Sequence, residues 1–294
     1  MIKILKYDEF NESYGISNWI KNEAINIYNH LLSINGDENT IEDTFNIYTR
    51  NYNLINLRIS FLKNDKTSGL FDSRLCFIKN NDLFNAQIII KNNDLDAKII
   101  QIISHELTHI NEFYFINILN KNLPKYFKIK NFLSSLNNNK NISEDYNKFI
   151  HILYLTLDNE MNARIAELYH YLIDYDYKTH QEYYDIINLH YTGKSINFIN
   201  SFNSIEFVNN CINTIGVNGL ITSSLNLLNT LKNNNIVLNG SKYNFVENLK
   251  IENKDDLYKF YKKFEKMFKN KLIKHNNKIN NMIKRIIIEK NKLY

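Results

Sequence analysis

Apolar residues recur with two different periods in the first third of the chain. In residues 17–33 they return every three or four positions, which predicts a helix with Ser17 as its N-cap. In residues 54–63, 70–79 and 84–91 they return at every second position, which predicts strands. Turn-forming residues separate the first two strands, so we expect a small antiparallel sheet of about three strands.

A longer helical period begins directly after the third predicted strand. Residues 94–120 carry apolar side chains at helical spacing, and Asp94 and Asp96 lie at the N-terminal end, where acidic residues stabilise a helix. Beyond a polar, irregular stretch, a second helical segment breaks at Asp158 and continues over residues 159–175. We therefore expect two substantial helices after the sheet.

The last third of the chain is also predicted to be helical. Residues 205–231 have a helical period with a weak point at Gly216 and Gly219, and residues 236–240 suggest a hairpin. Residues 255–290 form one long amphipathic segment whose polar face is mostly Lys. Its apolar face consists of Leu257, Phe260, Phe264, Met267, Phe268, Leu272, Ile279, Met282, Ile283 and Ile286.

Composition supports a folded protein of the α+β class that is mainly helical. Apolar residues make up 44% of the chain, which is ordinary for a globular protein, and its length allows one large domain or two smaller ones. Pro occurs once and Gly seven times, which favours helices over tightly turned β structure. We expect a first domain over residues 1–195 and a helical C-terminal region over residues 196–294.

Positive charge is concentrated at the C-terminal end. Residues 251–294 carry thirteen Lys and Arg against five Asp and Glu, a net charge of +8, whereas the whole chain carries +5. The other 250 residues are therefore slightly acidic, at −3. We interpret the Lys-rich face of residues 255–290 as a solvated surface of a packed helix, and binding of nucleic acid or anionic membrane is the alternative.

Targeting signals are not evident in the sequence. Residues 1–10 contain no apolar run long enough for a signal peptide, and no segment approaches the roughly 18 apolar residues of a membrane span. The two cysteines, Cys76 and Cys211, are far apart and form no metal or redox motif. We expect a cytoplasmic protein; packaging in a phage particle or release by lysis would leave the same features.

The most informative motif is His-Glu-x-x-His, which lies within the predicted helix 94–120. His105 and His109 are four residues apart and so share one helix face, where both imidazoles can reach one metal ion. Glu106 lies beside that face, where its carboxylate can take a proton from a water bound to the metal. Two neutral imidazoles suit Zn²⁺, so the motif predicts a zinc site with Glu106 as the catalytic base.

A catalytic zinc site normally needs a third protein ligand. A straight helix rarely supplies three, because successive turns spread along the helix axis. The helix 159–175 offers Glu160, Glu167 and His170 as candidates. 

His-Glu-x-x-His followed by a helix bearing Glu160-x-x-Ala-Arg164 resembles the gluzincin branch of zinc metallopeptidases. It is especially similar to small bacterial and phage proteins with this pair of motifs, and the similarity covers about residues 84–172. The resemblance implies that His105 and His109 bind zinc, that Glu106 is the general base and that Glu160 is the third ligand. It also implies a zincin-type helical core, a peptide or protein substrate, and an edge strand that holds the substrate extended.

The sequence departs from the gluzincin pattern in two ways. Glu160 follows His109 by 51 positions, which is longer than in thermolysin-like enzymes and indicates an insertion. Those enzymes also place an Asp four residues after the ligand Glu to orient a ligand His, and Arg164 stands there in this chain. Glu167 could be the orienting carboxylate instead. Arg164 could pair with Glu160 or with a substrate carboxylate.

An oxyanion formed during peptide hydrolysis needs a donor besides the metal. Tyr154 and His170 are candidates, together with Tyr169 and His190. The leading hypothesis is zinc-dependent peptide hydrolysis. The alternatives are a catalytically silent protein stabilised by zinc, such as a structural component of a phage particle, and a toxin or effector protease.

Overall fold

The computed structural model describes residues 18–34, 40–48, 54–62, 72–80, 83–91, 98–120, 143–175, 177, 179–233 and 249–291. Within these ranges the chain forms eight α-helices and four β-strands. The helices are α1 (Asn18–Ser33), α2 (Lys98–Asn120), α3 (Glu144–Leu155), α4 (Asp158–Ile173), α5 (His180–Ile187), α6 (Tyr191–Asn200), α7 (Ser204–Asn233) and α8 (Lys254–Asn291). The strands are β1 (Thr40–Tyr48), β2 (Leu54–Leu62), β3 (Asp72–Asn80) and β4 (Leu83–Lys91). The predicted class, a mainly helical α+β protein with a helical C-terminal region, is confirmed.

The sheet differs from its prediction in strand number and direction. Its four strands lie in the order β1-β2-β4-β3. The pairs β1–β2 and β3–β4 are antiparallel, but β2 and β4 are parallel. The predicted small sheet of about three strands is therefore present with one strand more, and only its purely antiparallel pairing is wrong. Strand β1 was not predicted, because Asp43 interrupts the apolar alternation of Ile41, Phe45 and Ile47, and alternation carries no information about strand order.

The strand that leads into α2 is not at an edge of the sheet. β4 lies between β2 and β3, so the edge strands of the described sheet are β1 and β3. Over the positions of the two central strands whose side chains are described, the buried apolar residues alternate along each strand, as the sequence predicts. These positions are Leu57, Ile59 and Phe61 on β2 and Ala86, Ile88 and Ile90 on β4.

The sheet shares one apolar core with two helices. The predicted inner face of α1, formed by Ile20, Ala24, Ile27 and Leu31, belongs to this core. The apolar residues of α2 belong to it as well, namely Ile99, Ile102, Ile103, Leu107 and Ile110. Helix α2 is therefore fixed against the sheet over the turns that carry the His-Glu-x-x-His motif. The predicted N-terminal acids Asp94 and Asp96 and the predicted cap Ser17 lie outside the described residues.

A tight corner joins α3 to α4. Ser143 caps the N-terminus of α3 by accepting a hydrogen bond of 3.2 Å from the amide of Tyr146. Helix α3 ends at Leu155, and α4 begins at Asp158, so the predicted break at this position is confirmed. The amide of Leu157 bonds to the carbonyl of Tyr154 at 3.1 Å, which closes the turn.

A second core is rich in aromatic rings. Phe149 on α3 has its ring centroid 5.1 Å from that of Tyr261 and 5.3 Å from that of Phe264, both in edge-to-face geometry. All ten residues predicted for the apolar face of α8 are buried, and those from Leu257 to Leu272 belong to this core. The interpretation of α8 as a packed helix is therefore supported. Lys263 and Lys266 are exposed, and nucleic-acid binding through that outer face stays a prediction.

Helix α7 is kinked at the predicted weak point. Gly216 has φ 73° and ψ 168°, which is not helical, inside an otherwise helical segment. At its N-terminal end, Ser204 donates its hydroxyl to Glu265 Oε2 at 2.6 Å. Burial alone would raise the pKa of Glu265, but hydrogen bonds from Lys269, Ser204 and Lys262 lower it to about 2. The predicted hairpin at residues 236–240 lies outside the described residues.

The chain divides into two compact units, each discontinuous in sequence. The first comprises Met1–Phe115, Asn162–Ile187 and Lys278–Tyr294, and the second comprises Ile116–Met161 and Asn188–Asn277. The prediction that residues 1–195 fold as a domain of their own stays a prediction. None of the described helices combines the length and the apolar character that a membrane crossing requires.

Candidate metal centre

Helix α2 buries all three chemically informative residues of its motif. Only 8% of His105, 4% of Glu106 and 6% of His109 is exposed. Burial of this many polar side chains costs free energy unless they find partners of matching chemistry. Ile103 and Leu107, which lie on the side of α2 away from the two histidines, anchor the helix in the sheet core.

The two histidines converge through the same ring atom. Nε2 of His105 lies 3.2 Å from Nε2 of His109, with the ring planes 80° apart. Spacing of four residues on a helix places the side chains on adjacent turns of one face, as the motif predicts. Both Nε2 atoms can therefore be donors to one ion.

Glu160 on α4 completes a group that could hold a metal ion. One ligand atom from each of His105, His109 and Glu160 lies within 4.8 Å of the other two. Glu160 is fully buried, at 0% exposure. The predicted combination of His105, His109 and Glu160 is thus brought together. In the described part of the chain, neither Glu167 nor His170 belongs to this metal-binding group.

The first turn of α4, which carries Glu160, is held by two lysines of α8. Lys271 donates to Asp158 Oδ1 at 2.8 Å, and Lys278 donates to Asn162 Oδ1 at 2.7 Å. Lys271 is buried, so its ammonium depends on such contacts. Asp158 and Asn162 are four residues apart and share a helix face, and Glu160 points about 160° away from it. The lysines therefore hold α4 from the side opposite Glu160.

Two further α4 residues occupy the same face as Glu160. Oε2 of Glu167 lies 3.3 Å from Nδ1 of His105, and Arg164 Nη1 donates to that oxygen at 2.8 Å. Arg164 therefore holds the Glu167 carboxylate, which approaches the His105 ring at Nδ1, the nitrogen that does not face His109. These side chains are largely buried, so their mutual attraction is screened less by water than at the surface. Arg164 therefore pairs with Glu167, whereas the sequence suggested Glu160 or a substrate carboxylate as its partner.

Tyr154 contacts the third candidate ligand directly. Its hydroxyl donates to Glu160 Oε2 at 2.6 Å, a length typical of a hydrogen bond to a carboxylate. Sequence reasoning considered Tyr154 only as an oxyanion donor and missed this contact. The sequence feature that could have indicated this contact is the separation of Tyr154 and Glu160 by six residues across a predicted helix break.

His170 lies apart from the metal-binding group in the described structure. Its ring is buried, and its Nε2 has no hydrogen-bond partner among the residues that the structure describes. Burial, together with the nearby positive charge of Lys21, lowers the pKa of His170 to about 4. The other two predicted oxyanion donors have structural contacts: the Lys21 ammonium lies 5.0 Å from the centre of the Tyr169 ring, and His190 caps α6 by accepting from the Thr192 amide at 3.1 Å.

The donor set fits a divalent metal ion. Two imidazole nitrogens and one carboxylate oxygen are the ligands that borderline-soft cations such as zinc prefer, and hard cations such as Ca²⁺ require more oxygen atoms. Comparisons with protein-family models, with curated proteins and with solved structures found no match to this chain.

Proposed function

We propose that this protein is a zinc-dependent hydrolase of peptide bonds. The observation that carries the proposal is the group of three buried donors, His105, His109 and Glu160, together with the burial of Glu106, which follows His105 in the chain. Catalytic zinc sites have three protein ligands and one open position, whereas structural zinc sites have four protein ligands. In the described residues the group has three members.

The distance between the histidines supports zinc in particular. Zinc–nitrogen bonds of about 2.0–2.1 Å at a tetrahedral angle separate two ligand nitrogens by about 3.3 Å. The observed Nε2 separation is 3.2 Å. Little rearrangement of His105 and His109 would therefore be needed to bind the ion.

In this proposal His105, His109 and Glu160 would hold the ion. Bound zinc would supply Lewis acidity, which polarises the substrate carbonyl and lowers the pKa of water towards neutrality. Glu106 acts as the general base that takes the proton of the attacking water and passes it to the leaving amine. Glu167, held by Arg164, keeps the His105 ring oriented with Nε2 towards the ligand group.

The sheet suggests how a peptide substrate binds. β3 pairs with β4 on one side, and the described residues contain no strand on its other side. An extended peptide can add to such an edge through main-chain hydrogen bonds. Because β4 is paired on both sides, we assign the substrate-binding edge of the proposed enzyme to β3, the edge strand next to β4, rather than to β4 itself.

A zinc-stabilised protein without catalysis is the competing function. Its support is the near-complete burial of the three candidate ligands, because burial is what a structural ion requires. The two functions differ in the role of Glu106. A purely structural site gains nothing from a carboxylate next to the ligand His105, whereas hydrolysis depends on it.

The variants Glu160→Ala and Glu106→Gln distinguish a zinc hydrolase, a protein that zinc only stabilises, and a protein that binds no zinc. Metal content is measured by mass spectrometry for protein purified without chelator, and cleavage is measured on a peptide library. We expect about one zinc per chain in the wild type, clear loss of zinc in Glu160→Ala, and retained zinc with abolished cleavage in Glu106→Gln. The exposed Glu206→Gln on α7 serves as a control with both properties unchanged.

The proposed function would be refuted by either of two results. If the wild-type protein takes up no zinc even when zinc is added back, the proposed zinc site does not exist. Full cleavage activity in Glu106→Gln would show that Glu106 is not the general base of the reaction. Zinc retention without cleavage of any peptide by the wild type would favour the stabilising role.

A further inference from the structure

Tyr154 and Glu160 are linked by a contact that bears on how the metal is coordinated. The Tyr154 hydroxyl is 2.6 Å from Glu160 Oε2, and Glu160 is fully buried. A phenol bound at this distance withdraws electron density from one carboxylate oxygen and leaves the other as the better donor. The contact therefore distinguishes two oxygens that would otherwise be equivalent.

The position of Tyr154 is set by the corner between α3 and α4. The Leu157 amide bonds to the Tyr154 carbonyl at 3.1 Å, and the Met161 amide bonds to the Leu157 carbonyl at 2.9 Å. The Tyr154 ring also stacks on His151, with centroids 6.4 Å apart. The short hydrogen-bonded turn therefore fixes the Tyr154 backbone close to the first turn of α4, from which Glu160 projects.

We infer that Tyr154 is a positioning residue that makes Glu160 a one-oxygen ligand and so keeps the fourth coordination position of the metal open. This inference rests on the proposed function, because it assumes that zinc binds to His105, His109 and Glu160. If both carboxylate oxygens bound, the ion would have four protein donor atoms and no vacant tetrahedral position for water or substrate. Tyr154 thereby favours three protein donor atoms and an open fourth position over a metal ion whose four positions are all filled by protein atoms.

The test compares two Tyr→Phe variants on the same helix. Tyr154→Phe removes the hydroxyl that contacts Glu160. Tyr146→Phe removes a hydroxyl on α3 that donates to the Ser223 carbonyl at 3.0 Å, away from the candidate ligands. The coordination number of bound zinc is measured by X-ray absorption, and zinc affinity is measured by competition with a chelating dye. Circular dichroism verifies the fold of each variant.

We expect four donor atoms around zinc in the wild type and in Tyr146→Phe, one of them from water. In Tyr154→Phe, Glu160 is expected to bind through both oxygens, which raises the number of carboxylate oxygens on zinc from one to two. Zinc affinity should fall by at least about tenfold in Tyr154→Phe, which is a typical loss when the hydrogen-bond partner of a metal ligand is removed. In Tyr146→Phe it should change by less than about twofold. A Tyr154→Phe protein with the same coordination and affinity as the wild type would overturn the inference.

The readouts keep this inference separate from the proposed function. If the wild type binds zinc and Tyr154→Phe alters its coordination, the inference holds even when no peptide is cleaved. If the wild type binds no zinc, the inference and the proposed function fall together. Peptide cleavage by a wild type whose Glu160 already binds through both oxygens would overturn the inference alone.

Discussion

Nδ1 of His105 lies 3.3 Å from Oε2 of Glu167, on the side of the ring away from His109. A carboxylate in this position favours the proton on Nδ1, which leaves the Nε2 lone pair available to a metal ion. Arg164 holds the same carboxylate oxygen at 2.8 Å. Helix α4 therefore contributes a candidate ligand in Glu160 and, two turns later, a carboxylate that lies beside another candidate ligand.

Removal of the Glu167 carboxylate should weaken metal binding. We expect Glu167→Ala to lower zinc affinity by about 10–100-fold, because the His105 ring loses its orienting partner. Competition with a chelating dye measures the change. Glu206→Ala, at an exposed position of α7, is the matched control and should retain wild-type affinity. Equal affinities in the two variants would show that Glu167 has no orienting role.

Zinc should stabilise the folded protein, because the three candidate ligands converge only in the native structure. At a free zinc concentration 100 times Kd, the stabilisation is about 2.7 kcal/mol, and thermal unfolding should shift upwards by several degrees. His109→Ala should lose this shift. His30→Ala removes an exposed histidine that pairs with Asp43, and it should keep the shift. An equal zinc effect in both variants would contradict a site at His109.

Acid should destabilise the protein through His170. Because burial and Lys21 lower its pKa in the folded state from 6.5 to about 4, the unfolded chain takes up the proton at higher pH than the folded protein does. The stability from this group is complete above pH about 6.5 and decreases as the pH falls towards 4, by up to about 3 kcal/mol.

The variant His170→Gln should have a shallower loss of unfolding free energy between these pH values. Urea unfolding of metal-free protein at several pH values measures the slope without interference from zinc. His180→Gln, a half-buried histidine on α5, provides the comparison and should retain the wild-type slope. The role of His170 would be refuted by a His170→Gln slope equal to that of the wild type.

A side chain at Gly216 should strain the kink of α7. With φ 73° and ψ 168° this residue lies in a region that only glycine populates readily, and a Cβ there would meet nothing within 4 Å. The cost of Gly216→Ala is therefore backbone strain alone, about 1–3 kcal/mol in the free energy of unfolding. The exposed Asn218→Ala in the same helix should be neutral or slightly stabilising, since Ala favours helix. A Gly216→Ala protein as stable as the wild type would refute the strain.

Local sequence patterns predicted those features that depend on a single element. The spacing of His105 and His109 requires one helix face, and their Nε2 atoms converge as that spacing implies. The apolar face of α8, the break before Asp158 and the weak point at Gly216 follow in the same way from periodicity and local backbone preference. Resemblance to the gluzincin motif added Glu160, which the structure brings together with His105 and His109 in a group that could hold a metal ion.

Contacts between elements were decided by the tertiary structure. Alternation identified the buried faces of β2 and β4, but it could not place them side by side and parallel, because a buried face carries no information about its neighbour. In the same way, the sequence offered Tyr154 and Arg164 as polar residues near the candidate site without indicating their partners. The sequence by itself determined which residues share a helix or strand face. Only the packing of α2, α3 and α4 determined that the Tyr154 hydroxyl bonds to Glu160 and that Glu167 approaches His105, because contacts between side chains depend on distances that chain spacing does not set.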